Sequence, residues 1–160
     1  MAANSIIADL ALRIAKGEVI RAPELSAIFS DLFATETIGL VVDESAHGRV
    51  VAHFEASSQH CDQSGLVHGG VWSSVAESLA SWGAALHAKP PGTLVVGVNN
   101  TTDKLRSHSF GRVDAVATAV FVGNEQQLWE VLITRSDDGD PLVRATVRLQ
   151  HIPGLPLDSG

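Results

Sequence analysis

Residues 65–72 read Gly65-Leu66-Val67-His68-Gly69-Gly70-Val71-Trp72, and the chain then runs through small residues to Glu77. A glycine pair suits a tight entry to a helix, and the residues beyond it predict one over 69–87. Lys89-Pro90-Pro91-Gly92 stops that helix. The first N–H groups of a helix have no acceptor of their own, so this turn can grip an oxygen. Glu77 follows about two turns later, roughly 10 Å along the axis. A helical Glu usually lies on a solvated face. Here its neighbours carry no charge, and the helix holds no other acid or base before His87. An ionised acid is buried only when it is paired, hydrogen-bonded or shifted in pKa. A cradle of N–H groups followed by a carboxylate on one rigid element points to chemistry on a carbonyl.

Around this helix the apolar period is two. Ile38–Val42 and Arg49–Ala56 read as strands flanking the turn-rich segment 43–48. Val50, Ala52, Phe54 and Ala56 face one way along the second strand, with Val51, His53 and Glu55 opposite. After the helix come Leu94–Asp103, Val113–Val122, Leu128–Arg135 and, past the turn Asp137-Asp138-Gly139-Asp140, Leu142–His151. The helix carries a stripe of Val71, Val75, Leu79 and Leu86. It needs a sheet curled around it to be covered, which gives an α+β architecture.

Upstream, Ile6, Ile7, Leu10, Ala11 and Ile14 recur at helical spacing, and Gly17 ends that piece. A second short helix starts near Pro23 and carries Leu25, Ile28, Phe29 and Leu32. The expected organisation is a helical extension over 1–36, the main domain over 37–152, and a loose tail rich in Pro and Gly over 153–160.

The bulk numbers exclude several classes. With 160 residues, 45% apolar and 18% charged, the chain fits one globular domain rather than a disordered one. A net charge of −7 without a basic stripe argues against nucleic acid. Cys61 is the only cysteine, so no internal disulfide is possible and a reducing cytoplasm is expected. Asp9 and Arg13 interrupt the first apolar run, so neither a signal peptide nor a membrane span is read there. His60, Cys61 and His68 match no ordinary zinc spacing, and no metal is expected. No nucleophile elbow, phosphate loop or dinucleotide fingerprint is present.

The segment Gly65-Leu66-Val67-His68-Gly69-Gly70, with Val75-Ala76-Glu77-Ser78-Leu79-Ala80-Ser81, closely resembles the hotdog-fold acyl-CoA thioesterases. Within them it looks like the branch with a carboxylate on the central helix. That branch holds the phenylacetate-pathway, 4-hydroxybenzoyl-CoA and 1,4-dihydroxy-2-naphthoyl-CoA types. The likeness continues through Val95-Val96-Gly97, Leu105-Arg106-Ser107, Gly111-Arg112-Val113, Val122-Gly123-Asn124 and Leu128-Trp129-Glu130, covering roughly residues 38–150.

The resemblance implies a hotdog fold: a curved antiparallel sheet around one long helix, here with extra N-terminal helices. It also implies a homodimer whose interface forms the active sites, assembled further as a dimer of dimers. By position, Glu77 would be the nucleophile or general base and Gly69 the N–H donor that polarises the thioester carbonyl. His68 would support the turn, and Ser81 would help to place the carboxylate or a water. Gly70 and Trp72 would contact the ligand. Arg106, Asn124 and Glu125 match regions that hold the nucleotide end of CoA, since Arg suits phosphate. On residue type alone, a solvated Arg and a polar turn would serve as well. No cofactor is implied beyond the CoA of the substrate.

Asp62 departs from the family pattern, which places Asn or Gln fifteen residues before the acid. An ionised Asp cannot donate a hydrogen bond to a carbonyl. Three readings are open: Asp62 is held protonated, Gln63 takes its place, or the ligand brings its own donor. The expected activity is hydrolysis of an acyl-CoA thioester, with an aromatic acyl group and 1,4-dihydroxy-2-naphthoyl-CoA as leading substrate. A non-catalytic acyl-CoA sensor of the same fold is the competing reading.

Overall fold

The computed structural model describes residues 2–29, 33–91 and 93–156. Its helices are α1 (Ala2–Ala15), α2 (Ala22–Phe29), α3 (Phe33–Ile38) and α4 (Gly69–His87). Its strands are β1 (Ile20–Arg21), β2 (Val41–Ala46), β3 (Arg49–Ala56), β4 (Thr93–Lys104), β5 (Gly111–Val122), β6 (Gln126–Arg135) and β7 (Pro141–Pro156). The strands form one antiparallel sheet in the order β1-β2-β3-β5-β6-β7-β4, curved around α4. No helix among the described residues is long and apolar enough to cross a membrane.

The alternation in β3 sets the inner face: Val50, Ala52, Phe54 and Ala56 are all buried. Ala115 and Ala117 of β5 and Ala145 of β7 line the same face. These short side chains let α4 sit close, and Trp72, Val75, Ala76, Leu79 and Ala80 fill the space between. The helix backbone comes close to the sheet at Gly83, where a Cβ would lie 2.5 Å from the Trp129 ring. The buried Gln127 is fully satisfied: its amide donates to Ala84 O (2.9 Å) and His151 Nε2 (2.8 Å), and its oxygen accepts from Trp129 Nε1 (2.9 Å). A buried polar group costs little when every partner is present.

Expected and observed elements differ at the ends. Gly17 ends α1 as its position suggests, at φ +89°, with Gly17 N–H to Ile14 O and Glu18 N–H to Arg13 O closing a Schellman turn. Helix α2 carries Leu25 and Ile28 as expected, whereas Leu32 lies outside the described residues. Ile38 is not the start of a strand but the end of α3, which is closed by Gly39 at φ +74°. β2 begins at Val41 instead and continues through Asp43, Glu44 and Ser45, leaving the turn to His47 and Gly48. Backbone pairing with β3 and a bulge between Val42 and Glu44 override the turn-forming side chains there. The tail expected to be loose over 153–160 is in part a strand. It pairs with β4 as far as Pro156, opposite Thr93, and 157–160 lie outside the described residues.

His87 closes the far end of α4. Its Nδ1–H donates to Gly83 O (2.8 Å), and Nε2 accepts the Gly48 N–H (2.9 Å). Burial holds its pKa below the ordinary value of 6.5. Between that lowered value and 6.5 the unfolded chain binds the proton more readily, so stability is present above this window and falls with pH through it. The melting temperature should therefore fall on acidification below pH 6.5, and less steeply in His87→Gln, which keeps a donor and an acceptor but does not titrate. Equal slopes for the two proteins would show that His87 is not the group responsible.

Candidate active site

At the start of α4, the N-cap His68 has extended backbone angles (φ −64°, ψ 142°), and its Nδ1 accepts the Gly70 N–H at 2.9 Å. The neutral ring therefore carries its proton on Nε2. The Val71 N–H is taken by His68 O at 3.0 Å. The Gly69 N–H has no partner among the described residues, and Gly69 is exposed. Of the first three donors of this helix, two are capped and one remains open to a ligand. The N–H of Gly70, a residue expected to contact ligand, is occupied by His68. A Cβ there would lie 3.0 Å from the imidazole, so glycine admits the ring.

Glu77 is half-buried beneath β4. Asn100 donates both amide hydrogens, one to Glu77 Oε2 and one to Ser73 O, each at 3.0 Å. Thr102 donates to Asn100 Oδ1 at 2.7 Å, which fixes the amide's orientation. Ser81 Oγ makes a long contact of 3.5 Å to Glu77 Oε1. The same oxygen lies directly over Gly97, where a Cβ would be 1.9 Å away. Ser73, Ser74, Ser78, Glu77 and Asn100 line an open depression of ≈ 300 Å³. One carboxylate oxygen is anchored and the other is pressed against bare backbone. Gly97→Ala should therefore displace the carboxylate. We expect a fold loss of at least tenfold in turnover with the melting temperature little changed, checked by thiol release and thermal melts.

Asn100 and Gly97 were not anticipated. Three residues apart, they would point to opposite faces of a regular strand. β4 carries a bulge between Gly97, opposite Leu149, and Asn99, opposite Arg148. The extra residue, Val98, shifts the alternation so that both positions meet Glu77. A glycine inside a strand pattern followed by two asparagines, which strands disfavour, was the available signal.

The loop before α4 corrects one reading. Asp62 is exposed, and its carboxylate accepts from the hydroxyl and the N–H of Ser64. Those hydrogen bonds hold its pKa below the ordinary carboxylate value, so it is ionised at neutral pH rather than protonated. It builds the turn closed by Gly65 N–H to Asp62 O (3.0 Å), with Gly65 at φ +76°. The exposed Gln63 makes no hydrogen bond among the described residues.

Other expected residues are dispersed. Trp72 does not face a pocket in this chain. It is 1% exposed and packs in the core beside Phe54 (5.9 Å between rings). Arg106 donates to Pro141 O (3.0 Å) and lies 3.5 Å from Asp140, just beyond the end of β4. Asn124 and Glu125 sit at the opposite end, where His151 Nδ1–H donates to Asn124 O and the His151 N–H to Glu125 O, both at 2.8 Å. Because His151 pairs with Val95, about ten residues or 30 Å of β4 separates the two groups. A single chain does not bring them together. His60 is structural: Nδ1 accepts the Ser57 N–H (3.0 Å) and Nε2 lies 3.1 Å from Ile38 O.

Comparison with known proteins identifies the family. The model of the Thioesterase superfamily matches residues 64–142, which include His68, Glu77 and Asn100. The Mycobacterium tuberculosis protein named "Putative esterase Rv1847" is 39% identical over 122 residues, 74% of this chain and 86% of that one. Its solved structure superposes with a TM-score of 0.72 at 38% identity, covering 78% and 98% of the two chains. A 1,4-dihydroxy-2-naphthoyl-CoA hydrolase of Listeria monocytogenes is 35% identical over 99 residues, 62% of this chain and 80% of that one. The thioesterase HI1161 of Haemophilus influenzae shares the fold, with a TM-score of 0.75 at 23% identity over 85% and 93% of the chains. With its curved sheet, its single long helix and the His-Gly-Gly turn ahead of Glu77, this chain belongs to the thioesterase superfamily of hotdog-fold enzymes.

Proposed function

We propose that this thioesterase hydrolyses a ring-bearing acyl-CoA, with 1,4-dihydroxy-2-naphthoyl-CoA the leading substrate. The observation that carries the reading is the Glu77 carboxylate, anchored by Asn100, open to a surface depression, and on the same helix as the unpaired Gly69 N–H. A thioester carbonyl gains negative charge on oxygen when attacked. The Gly69 N–H receives that charge, a contribution of about 2.7–4 kcal/mol for such donors. Glu77 attacks the carbonyl carbon or removes a proton from the attacking water. The carbon–sulfur bond then breaks, and CoA leaves as its thiolate and takes up a proton. When water attacked, the free acid is the product directly; when Glu77 attacked, the product is a mixed anhydride, which a water then splits into the free acid and the Glu77 carboxylate. The ring preference is supported by the substrate in the Listeria relative's name.

The two groups work across a pair of chains. Eight residues of helix separate Gly69 from Glu77, about 12 Å along the axis. An attacking oxygen and an oxyanion donor on one carbonyl are only about 6–7 Å apart. A second copy closes the gap. β4 is the twelve-residue edge of the sheet, with β7 on one side and no strand on the other among the described residues. Long open edges invite pairing. Two copies joined along β4 about a twofold axis bring the α4 helices side by side, so that Gly69 of one chain serves Glu77 of the other.

A panel of aromatic and aliphatic acyl-CoAs, followed by free-thiol release, tests the substrate class. Aromatic esters should exceed long-chain fatty esters in kcat/KM by at least about tenfold. Comparable turnover of both classes would overturn the ring preference. Binding of the esters with no turnover at all would replace the enzyme reading with that of a sensor.

A further inference from the structure

A second cavity lies at the other end of α4, ten residues or about 15 Å of helix beyond Glu77. It has a volume of ≈ 380 Å³ and forms where α1 crosses the end of α4. Ala11, Ile14, Leu86 and Val122 supply apolar walls, and Leu12, 53% exposed, stands at the rim. α1 lies outside residues 64–142, the segment that matches the thioesterase superfamily, and supplies one wall of this cavity. Pockets of this size with apolar walls and few polar groups suit small molecules.

The polar groups are of one kind. His47 and Lys89 are exposed at the cavity, and neither has an ion-pair or hydrogen-bond partner among the described residues. His87 is a wall rather than a ligand group, because Gly83 and Gly48 occupy both its nitrogens. Among the described residues no acidic side chain lines the space. An ammonium and an imidazole beside an apolar chamber complement an anion with an apolar body.

We propose that this cavity binds a monocarboxylic acid with a compact apolar body, the carboxylate facing Lys89 and His47 and the body lying between α1 and α4. The site stands apart from Glu77 and does not depend on the reading of the catalytic residues. With the ring-bearing substrate proposed above, the acid released by hydrolysis has this chemistry and would be among the acids the cavity accepts; only that identification rests on the proposed substrate.

Calorimetric titration of the full-length protein with 2-naphthoate tests this, with 2-naphthylmethanol as uncharged control. One saturable site per chain is expected, with a Kd on the order of 1 mM or tighter. Lys89→Glu should weaken the acid by about tenfold and leave the alcohol unchanged. Ala15→Trp fills the cavity from its rim and should abolish binding, with circular dichroism confirming the fold. Glu77→Gln should bind the acid as wild type does. No saturable heat up to about 10 mM acid would overturn the proposal. So would equal affinity for acid and alcohol, or binding that survives Ala15→Trp but is lost in Glu77→Gln, which places the acid in the candidate active site.

Discussion

Glu77→Gln is expected to lower kcat by about 10²–10⁴-fold, the usual contribution of a positioned base or nucleophile, with KM and melting temperature nearly unchanged. The substitution is close to isosteric. The Gln oxygen can still accept from Asn100 Nδ2, which now lies 3.0 Å from Glu77 Oε2, so the helix and β4 keep their contact. What is lost is the negative charge. A neutral amide neither attacks a thioester carbon nor takes a proton from water, so both routes open to Glu77 fail together. Thiol release from the best substrate of the panel, beside thermal melts of both proteins, reads the result. Turnover near the wild-type rate would remove Glu77 from the mechanism, whatever the fold suggests.

The carboxylate was legible in the sequence because its surroundings were anomalous: one acid among Ser73, Ser74, Val75, Ala76 and Ser78. Its anchor was not. Asn100 lies in a strand whose partner, register and bulge are tertiary facts, and a one-residue bulge reverses which side chains face the helix. Asp62 shows the converse. Its departure from the family pattern was visible, but Ser64 folding back onto the carboxylate, which lowers its pKa further and ties it into the turn, was not read from the spacing.

The fold divides in the same way. The bounds of α4 and of β3 could be read directly, because a glycine pair, a Lys-Pro-Pro stop and an unbroken alternation are local signals. The stretch 38–46 was misplaced by several residues. There, helix α3 borrows Ile38, and β2 recruits Asp43, Glu44 and Ser45 by pairing with β3. The resemblance made Trp72 a ligand contact, yet five residues of helix turn it about 140° away from Glu77, into the core beside Phe54. Neighbours in sequence on a helix do not share a face.

Gly69→Pro is expected to cost about 10²–10³-fold in kcat, the measure of one lost oxyanion donor, without unfolding the protein. Proline removes the N–H, and the site tolerates it. Gly69 is the first helical residue, a position proline favours. His68 already has the extended backbone (ψ 142°) that a residue before proline requires. A Cβ at Gly69 meets nothing within 4 Å. The variant also decides whether the site spans two chains. Gly69→Pro and Glu77→Gln are each expected to be nearly inactive, yet in a mixed dimer one of the two interface sites holds an intact Gly69 opposite an intact Glu77. After co-refolding of the two variants in equal amounts, half of the dimers are mixed, and activity should return to about a quarter of wild type. A mixture that stays inactive while forming dimers would place both groups on the same chain's site and exclude the crossed arrangement. Gly69→Pro at full activity would show instead that the free N–H at the start of α4 does not receive the oxyanion.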